Sequence, residues 1–174
     1  MEKEQKPEVW LRGPLPDVPA PLQPVAHALL QAREEVQRYL AGFPDHLLWE
    51  IPAGVASVGF HLQHLAGVLD RLCTYARGET LSEAALAYLK SEGTPPPNGT
   101  TTEDLRLIFD KQVENTLQQL KQTGPETLTQ FRGVGRAQLP STVGGLLFHA
   151  AEHTQRHVGQ LLVTTRILLA DVLQ

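Results

Sequence analysis

Histidines are the residues of this sequence best suited to chemistry, because three of them recur on one predicted helix. The chain contains seven histidines: His27, His46, His61, His64, His149, His153 and His157. His149, His153 and His157 follow one another at intervals of four residues, and such neighbours lie one above the other on a helix. Imidazole nitrogen is a common ligand of divalent transition metals. The spacing therefore predicts that two neighbouring members of this ladder bind one ion.

The outer two histidines of the ladder are too far apart to share an ion. Eight residues of helix separate His149 from His157 by about 12 Å, whereas an imidazole–metal bond is about 2 Å long. The pair is therefore either His149 with His153 or His153 with His157. Leu147, Val158 and Leu161 belong to the apolar stripe of this helix, and at about 100° per residue His157 lies nearest to it. Because bundles build metal sites between facing helices, helical phase favours His153 with His157.

A third ligand is expected from a second helix. The segment Phe60–Leu65 reads F-H-L-Q-H-L and offers His61 and His64, three residues apart on one helical face. His61 lies closer to the apolar stripe of its helix, and His64 lies at the edge of that stripe. Helical phase leaves both histidines open as the third ligand.

The elements that must position these histidines are helices. Apolar residues recur at helical spacing, and glycine, proline and capping residues interrupt them. The pattern predicts helices at about 25–42, 57–76, 82–91, 103–122 and 142–172. Residues 130–139 are ambiguous and compatible with an extended segment. Four long helices and one short helix predict an all-α four-helix bundle over residues 25–174.

The first 24 residues have a different character. They contain six prolines, which disfavour both helix and inner strand, and they predict an extended arm packed on the surface. We therefore expect two regions, a proline-rich arm at residues 1–24 and a bundle at residues 25–174.

The composition of the chain indicates which classes of partner and which cellular compartment to expect. The chain has 174 residues, of which 41% are hydrophobic and 20% charged, with a net charge of −4. Its basic residues are scattered, which argues against nucleic acid as a partner. The single cysteine, Cys73, excludes an internal disulfide and suits a reducing compartment. No apolar run approaches the roughly 18 residues that span a membrane, and residues 1–7 show no secretory signal. We expect a cytoplasmic protein without membrane contact.

Two segments resemble the DinB/YfiT-like superfamily of metal-binding four-helix bundles. Ser57–Ala66 is similar to the family's helix in which a serine precedes a metal-binding histidine by seven residues, which implies His64. Phe148–Gln160 is similar to the closing helix, in which an H-x-x-x-H pair precedes a G-Q tail, which implies His153 and His157. His61 and His149 are not implied as ligands. Val158 departs from the pattern, since many relatives carry arginine there.

The resemblance also implies an activity class. Three histidines leave an open coordination position, and zinc or nickel suits imidazole ligands best. Relatives include thiol-dependent transferases and metal-dependent hydrolases acting on small molecules, often as homodimers. The alternative is a non-catalytic metal-containing protein that binds a small molecule or serves a stress response. Cys73 is about two and a half turns from His64 and is a poor fourth ligand. Glu152 and Asp70 receive no catalytic role, and Asp70 with Arg71 is interpreted as a surface pair.

Overall fold

The fold consists of five α-helices and one β-hairpin, seen in a computed structural model that describes residues 6–172. The elements in chain order are α1 (Gln23–Tyr39), α2 (Val58–Ala76), α3 (Glu83–Ser91), α4 (Thr102–Gln122), β1 (Phe131–Val134), β2 (Leu139–Thr142) and α5 (Val143–Val172). The helices match the predicted positions to within a few residues. The structure thus confirms the all-α bundle and adds a small sheet to it.

The four long helices form a closed ring. Helix α1 packs against α4 and α5, and α2 packs against the same two helices. Each long helix contributes a side chain that is completely buried at the centre: Leu29, Leu62, Phe109 and Leu161. The short helix α3 lies outside the ring against α2 and has no buried residue of its own. The contact between α2 and α5 matters most for function, because the histidines lie on these two helices.

Capping residues define where the helices begin. The Ser57 side chain accepts a hydrogen bond from the Phe60 amide, so α2 starts one turn before His61. Ser82 caps α3 in the same way, and Thr101 forms a capping box with Asp104 at α4. These side chains therefore set the starts of α2, α3 and α4.

Trp49 packs against the first turn of α2. A Cβ atom at Gly59 would lie 2.5 Å from Trp49 Cζ3, so only glycine lets the indole approach the helix this closely. The Gly59 amide also donates to the Leu48 carbonyl at 2.7 Å. These contacts fix the loop before α2 and hence the start of the helix that carries His61 and His64.

The segment that the sequence left ambiguous forms the hairpin. Strands β1 and β2 are antiparallel, with Phe131 opposite Thr142 and Val134 opposite Leu139. Strand β2 leads directly into α5, and the Gly144 amide donates to the Leu128 carbonyl at 2.8 Å. The hairpin therefore anchors the N-terminal end of the helix that carries the histidine ladder.

The proline-rich segment is less extended than predicted. Two short 3-10 helices interrupt it, Val9–Arg12 and Ala20–Leu22, and α1 already starts at Gln23. Proline is compatible with the first turn of a helix, because its missing N–H has no partner there. Pro24 therefore lies inside α1. The first five residues of the predicted arm, and with them most of the segment considered for a secretory signal, lie outside the described residues.

The arm is tied to α1 by polar contacts. The Val9 amide donates to Gln31 Oε1 at 3.0 Å, and Arg12 donates to both carboxylate oxygens of Glu34 at 2.5 and 2.8 Å. His27 Nε2 lies 3.1 Å from the Gly13 carbonyl oxygen. The division at residue 24 remains a prediction from composition.

Within residues 6–172, no helix combines the length and apolarity that a membrane span requires.

Candidate metal centre

Three histidines from two helices meet between α2 and α5. His64 on α2 and His153 and His157 on α5 each offer a ring nitrogen, and these three atoms lie within 4.8 Å of one another. The ring centroids of His64 and His157 are 4.3 Å apart, and those of His153 and His157 are 4.7 Å apart. All three side chains are half-buried. The structure thus brings together the three residues that the resemblance implied.

The nitrogen positions suit a small divalent ion. His64 Nε2 and His153 Nε2 lie 2.9 Å apart. Two imidazole nitrogens on a tetrahedral ion, each at about 2.0–2.1 Å, are about 3.3 Å apart. The two rings therefore need to separate by only a few tenths of an ångström to hold an ion between them. Three neutral imidazoles form a donor set that suits zinc, nickel and related metals.

The other nitrogen of His64 faces a buried carboxylate. His64 Nδ1 lies 2.7 Å from Glu92 Oε2, and Arg71 donates to Glu92 Oε1 at 2.5 Å. The side chains of Glu92 and Arg71 are 5% and 11% exposed. Metal-binding histidines commonly direct their second nitrogen to such a carboxylate, which fixes the ring and its tautomer.

His61 supports the cluster from behind. It is 3% exposed, and its Nδ1 lies 3.1 Å from His157 Nδ1. This contact leaves His157 Nε2 as the nitrogen available for an ion. His61 itself is not one of the three converging histidines. Of the two histidines that helical phase left open, His64 is the one whose ring nitrogen converges with those of His153 and His157.

The pKa values favour neutral imidazoles. Burial lowers the pKa of His157 to about 3, and His64, His153 and His61 reinforce this shift. Burial also lowers the pKa of His61 to about 4, with a further contribution from His64. The pKa of His153 is lowered as well, mainly by burial and to a smaller extent by the charge of His64. Only an unprotonated imidazole can bind a metal, so the cluster favours the competent form.

His149, the first member of the ladder, faces solvent. It is exposed, and its Nδ1 lies 3.3 Å from Glu152 Oε2. His149, Glu152 and His153 form a second, more exposed group whose ligand atoms also lie within 4.8 Å of one another. Glu152 is hydrogen-bonded to Arg156 as well, and this contact lowers its pKa.

The interpretation of Asp70 and Arg71 as a surface pair is wrong for Arg71. Asp70 is exposed, but Arg71 is buried and forms its ion pair with Glu92. Sequence reasoning did not identify Glu92, which is 28 residues from its partner His64. Spacing carried a partial signal, because Gly67 and Arg71 follow His64 at intervals of three and four on one helical face. The residue that this face contacts, Glu92, directly follows α3, and no local sequence pattern predicts how α3 packs on α2.

Cys73 lies elsewhere, as its distance from His64 predicted. Its thiol is 2% exposed and donates to Thr116 Oγ1 at 3.5 Å. Among the described residues, the group around His64 contains three candidate ligands. The arrangement fits an ion with an open coordination position rather than a closed structural site.

A mainly apolar cleft lies beside His61. It has a volume of about 490 Å³ and lies between α5 and the loop before α2. Val55, Ala56 and Val163 supply apolar walls, His61 lies at its inner side, and Arg156 provides a positive charge. The cleft is large enough for a small organic molecule beside His61, and His64, His153 and His157 are not among its lining residues.

Comparison with known proteins identifies the family. The sequence model of the DinB superfamily matches residues 28–161. A crystal structure of a conserved protein from Enterococcus faecalis superimposes with a TM-score of 0.67 at 20% identity, covering 86% of this chain and 97% of that one. A DinB-like protein from Bacillus cereus ATCC 10987 gives a TM-score of 0.60 at 18% identity, covering 80% and 90%. A search of curated proteins gives no significant match. Since the superfamily match extends over more than half of its length, this chain belongs to the DinB superfamily.

Proposed function

We propose that this protein binds one divalent transition metal, zinc or nickel, through His64, His153 and His157. The observation that carries the proposal is the convergence of their three ring nitrogens within 4.8 Å between α2 and α5. The superfamily is metal-binding, which supports the same assignment. The lowered pKa values of His153 and His157 keep these rings unprotonated near neutral pH, as metal binding requires.

The test of this assignment is metal content. We expect about one equivalent of zinc or nickel in the purified untagged protein by inductively coupled plasma mass spectrometry. His64→Ala and His153→Ala should each abolish stoichiometric binding. His27→Ala is the matched control, because His27 contacts the arm at Gly13 and lies outside the cluster. Unchanged metal content in His64→Ala and His153→Ala would overturn the assignment.

We propose further that the protein is a metal-dependent enzyme acting on small molecules, of the thiol-dependent transferase or hydrolase class. A bound ion would polarise a substrate oxygen or sulfur and lower the pKa of a coordinated water or thiol. The residues of this chain would hold the ion and orient the substrate. The apolar cleft beside His61 would exclude water from a small molecule bound there.

The screen for activity uses protein loaded with zinc, nickel, manganese or iron. Thiol conjugation and ester hydrolysis are measured with each metal, and His153→Ala serves as the metal-deficient control. Turnover that depends on the loaded metal and is lost in His153→Ala supports the enzyme. Absence of turnover with every metal across a broad panel of thiols and esters contradicts it.

A second function, a non-catalytic metal-containing protein that binds a small molecule, is favoured by one observation. The two carboxylates beside the histidines are already engaged. Glu92 binds Arg71 and His64, and Glu152 binds Arg156. Neither is free to act as a general base. A small molecule that co-purifies with the protein and is released unchanged would support this function.

A further inference from the structure

We infer that Glu92, fixed by Arg71, is the positioning residue of this site. It selects the tautomer of His64 and holds its ring toward the metal position. The inference rests on the proposed metal function and adds to it two residues on which the strength of metal binding depends.

The contacts around Glu92 form a continuous relay. One carboxylate oxygen accepts from Arg71 Nη1 at 2.5 Å, and the other lies 2.7 Å from His64 Nδ1. Both charged side chains are almost completely buried, at 5% exposure for Glu92 and 11% for Arg71. Burial of an unpaired charge is costly, so each of the two ions depends on the other. His64 is bound to the end of this buried pair.

Helix α2 makes room for the relay at Gly67. A Cβ atom at this position would clash with Glu92 Oε1, and it would lie 2.7 Å from Arg71 Nη1 and 2.9 Å from Tyr88 Cε1. Real Cβ atoms essentially never approach other heavy atoms so closely. Glycine within a helix costs up to about 1 kcal/mol relative to alanine. At Gly67 the missing side chain lets the Glu92 carboxylate and the Arg71 guanidinium lie directly against the helix.

The relay determines which nitrogen of His64 carries the proton. An ionised carboxylate only accepts hydrogen bonds, so His64 Nδ1 must donate to Glu92. The lone pair of the neutral ring then lies on Nε2, the nitrogen that faces His153 at 2.9 Å. Glu92 therefore prepares the nitrogen that points into the cluster. The negative charge also makes the imidazole a stronger donor to a cation.

Helix α3 places Glu92 in this position. Glu92 directly follows α3, which has no buried residue. The next residue, Gly93, donates its amide to Gln63 Oε1 at 2.7 Å, and the Tyr88 hydroxyl donates to the Gln63 carbonyl at 3.2 Å. These polar contacts hold α3 against α2. They place the Glu92 carboxylate beside His64.

The test is Glu92→Gln. Arg71 will still donate to the amide oxygen of the new side chain, so the amide NH2 will face His64 Nδ1. That nitrogen must then accept, and the ring proton moves to Nε2, where it opposes metal binding. We expect zinc affinity, measured by competition with a chelating dye, to fall by about 10- to 100-fold. In the metal-free protein at pH 8, ¹⁵N NMR should show His64 with its proton on Nδ1 in the wild type and on Nε2 in Glu92→Gln.

Rescue distinguishes positioning from a general structural role. In the double variant Arg71→Met, Glu92→Gln, no guanidinium holds the amide oxygen, so the amide can turn that oxygen toward His64. The Nδ1–H tautomer and part of the zinc affinity should return. Glu79→Gln is the matched control, because Glu79 forms an exposed ion pair with Arg77 next to the far end of α2. It should leave both readouts unchanged.

The outcomes separate this inference from the proposed function. A wild-type protein that binds neither zinc nor nickel overturns the metal function and this inference with it. Wild-type zinc affinity in Glu92→Gln, or an unchanged His64 tautomer, overturns the inference alone. Should Glu92→Gln fail to fold, Glu92→Asp replaces it, because its carboxylate is one methylene too short to reach both partners. Wild-type zinc affinity in Glu92→Asp would again overturn the inference.

Discussion

Nδ1 of His61 lies 3.1 Å from Nδ1 of His157, so a buried residue outside the ligand group contacts a candidate ligand directly. If His157 binds an ion through Nε2, its Nδ1 carries the proton and donates to His61, which accepts as a neutral ring. The lowered pKa of His61, about 4, agrees with an acceptor that stays unprotonated. His157 and His64 are therefore each supported through Nδ1, one by an imidazole and the other by a carboxylate.

We predict that His61→Leu weakens zinc binding by about 10- to 100-fold. Leucine fills the buried space but leaves the His157 Nδ1–H without an acceptor, which costs about 1–3 kcal/mol. His61→Asn should retain most of the affinity, because its amide oxygen can take the place of the imidazole nitrogen. Dye competition measures both variants. Equal zinc affinity in His61→Leu and the wild type would show that the contact has no role in binding.

Gly67→Ala should weaken metal binding without unfolding the protein. The new methyl group displaces the ends of the Glu92 and Arg71 side chains, which can move, and alanine favours the helix by up to about 1 kcal/mol. Zinc affinity should therefore fall while the melting temperature of the metal-free protein changes little. Differential scanning calorimetry and dye competition give the two readouts.

Gly159→Ala is the matched control for Gly67→Ala. Nothing lies within 4 Å of a Cβ atom built at Gly159, which is exposed on α5. This substitution should raise stability by about 0.5–1 kcal/mol through helix propensity alone, with zinc affinity unchanged. If both alanine variants bind zinc like the wild type, the close approach at Gly67 is not needed for the site.

The sequence predicted the parts of the site that follow helical periodicity. The four-residue spacing of His153 and His157, and the three-residue spacing of His61 and His64, are local properties of a helix. They predicted which faces of α2 and α5 meet. Periodicity did not identify Glu92, because its position depends on how α3 docks on α2 through Gln63 and Tyr88. The hairpin was equally hard to predict, since its two short strands carry little apolar alternation and both are partly exposed.

Cys73 should be inert in the native protein. Its thiol is 2% exposed, and burial raises its pKa, so less of the reactive thiolate is present at any given pH. We expect reaction with 5,5′-dithiobis-(2-nitrobenzoic acid) at pH 8 to be slow in buffer. It should be complete within minutes in 6 M guanidinium chloride, since only hyperstable proteins have an unfolding midpoint above roughly 5 M. Rapid stoichiometric modification of the native protein would contradict the buried position.

Removal of the metal should loosen α3 selectively. Helix α3 has no buried residue, and Glu92 ties its C-terminal end to His64. An ion on His64 fixes the ring that Glu92 binds, so metal-loaded protein should hold α3 more tightly than protein treated with a chelator. We expect amide hydrogen exchange in residues 83–91 to accelerate by about tenfold on metal removal, which corresponds to about 1.4 kcal/mol.

Helix α4 is the internal control for this exchange experiment. Its start is fixed by the Thr101–Asp104 capping box, and Phe109 and Val113 are completely buried. None of these contacts involves the histidines, so exchange in residues 105–117 should be insensitive to the metal. A uniform acceleration in α3 and α4 would indicate that the ion stabilises the whole bundle rather than the docking of α3. Unchanged exchange in α3 would mean that its docking is independent of the ligand that Glu92 contacts.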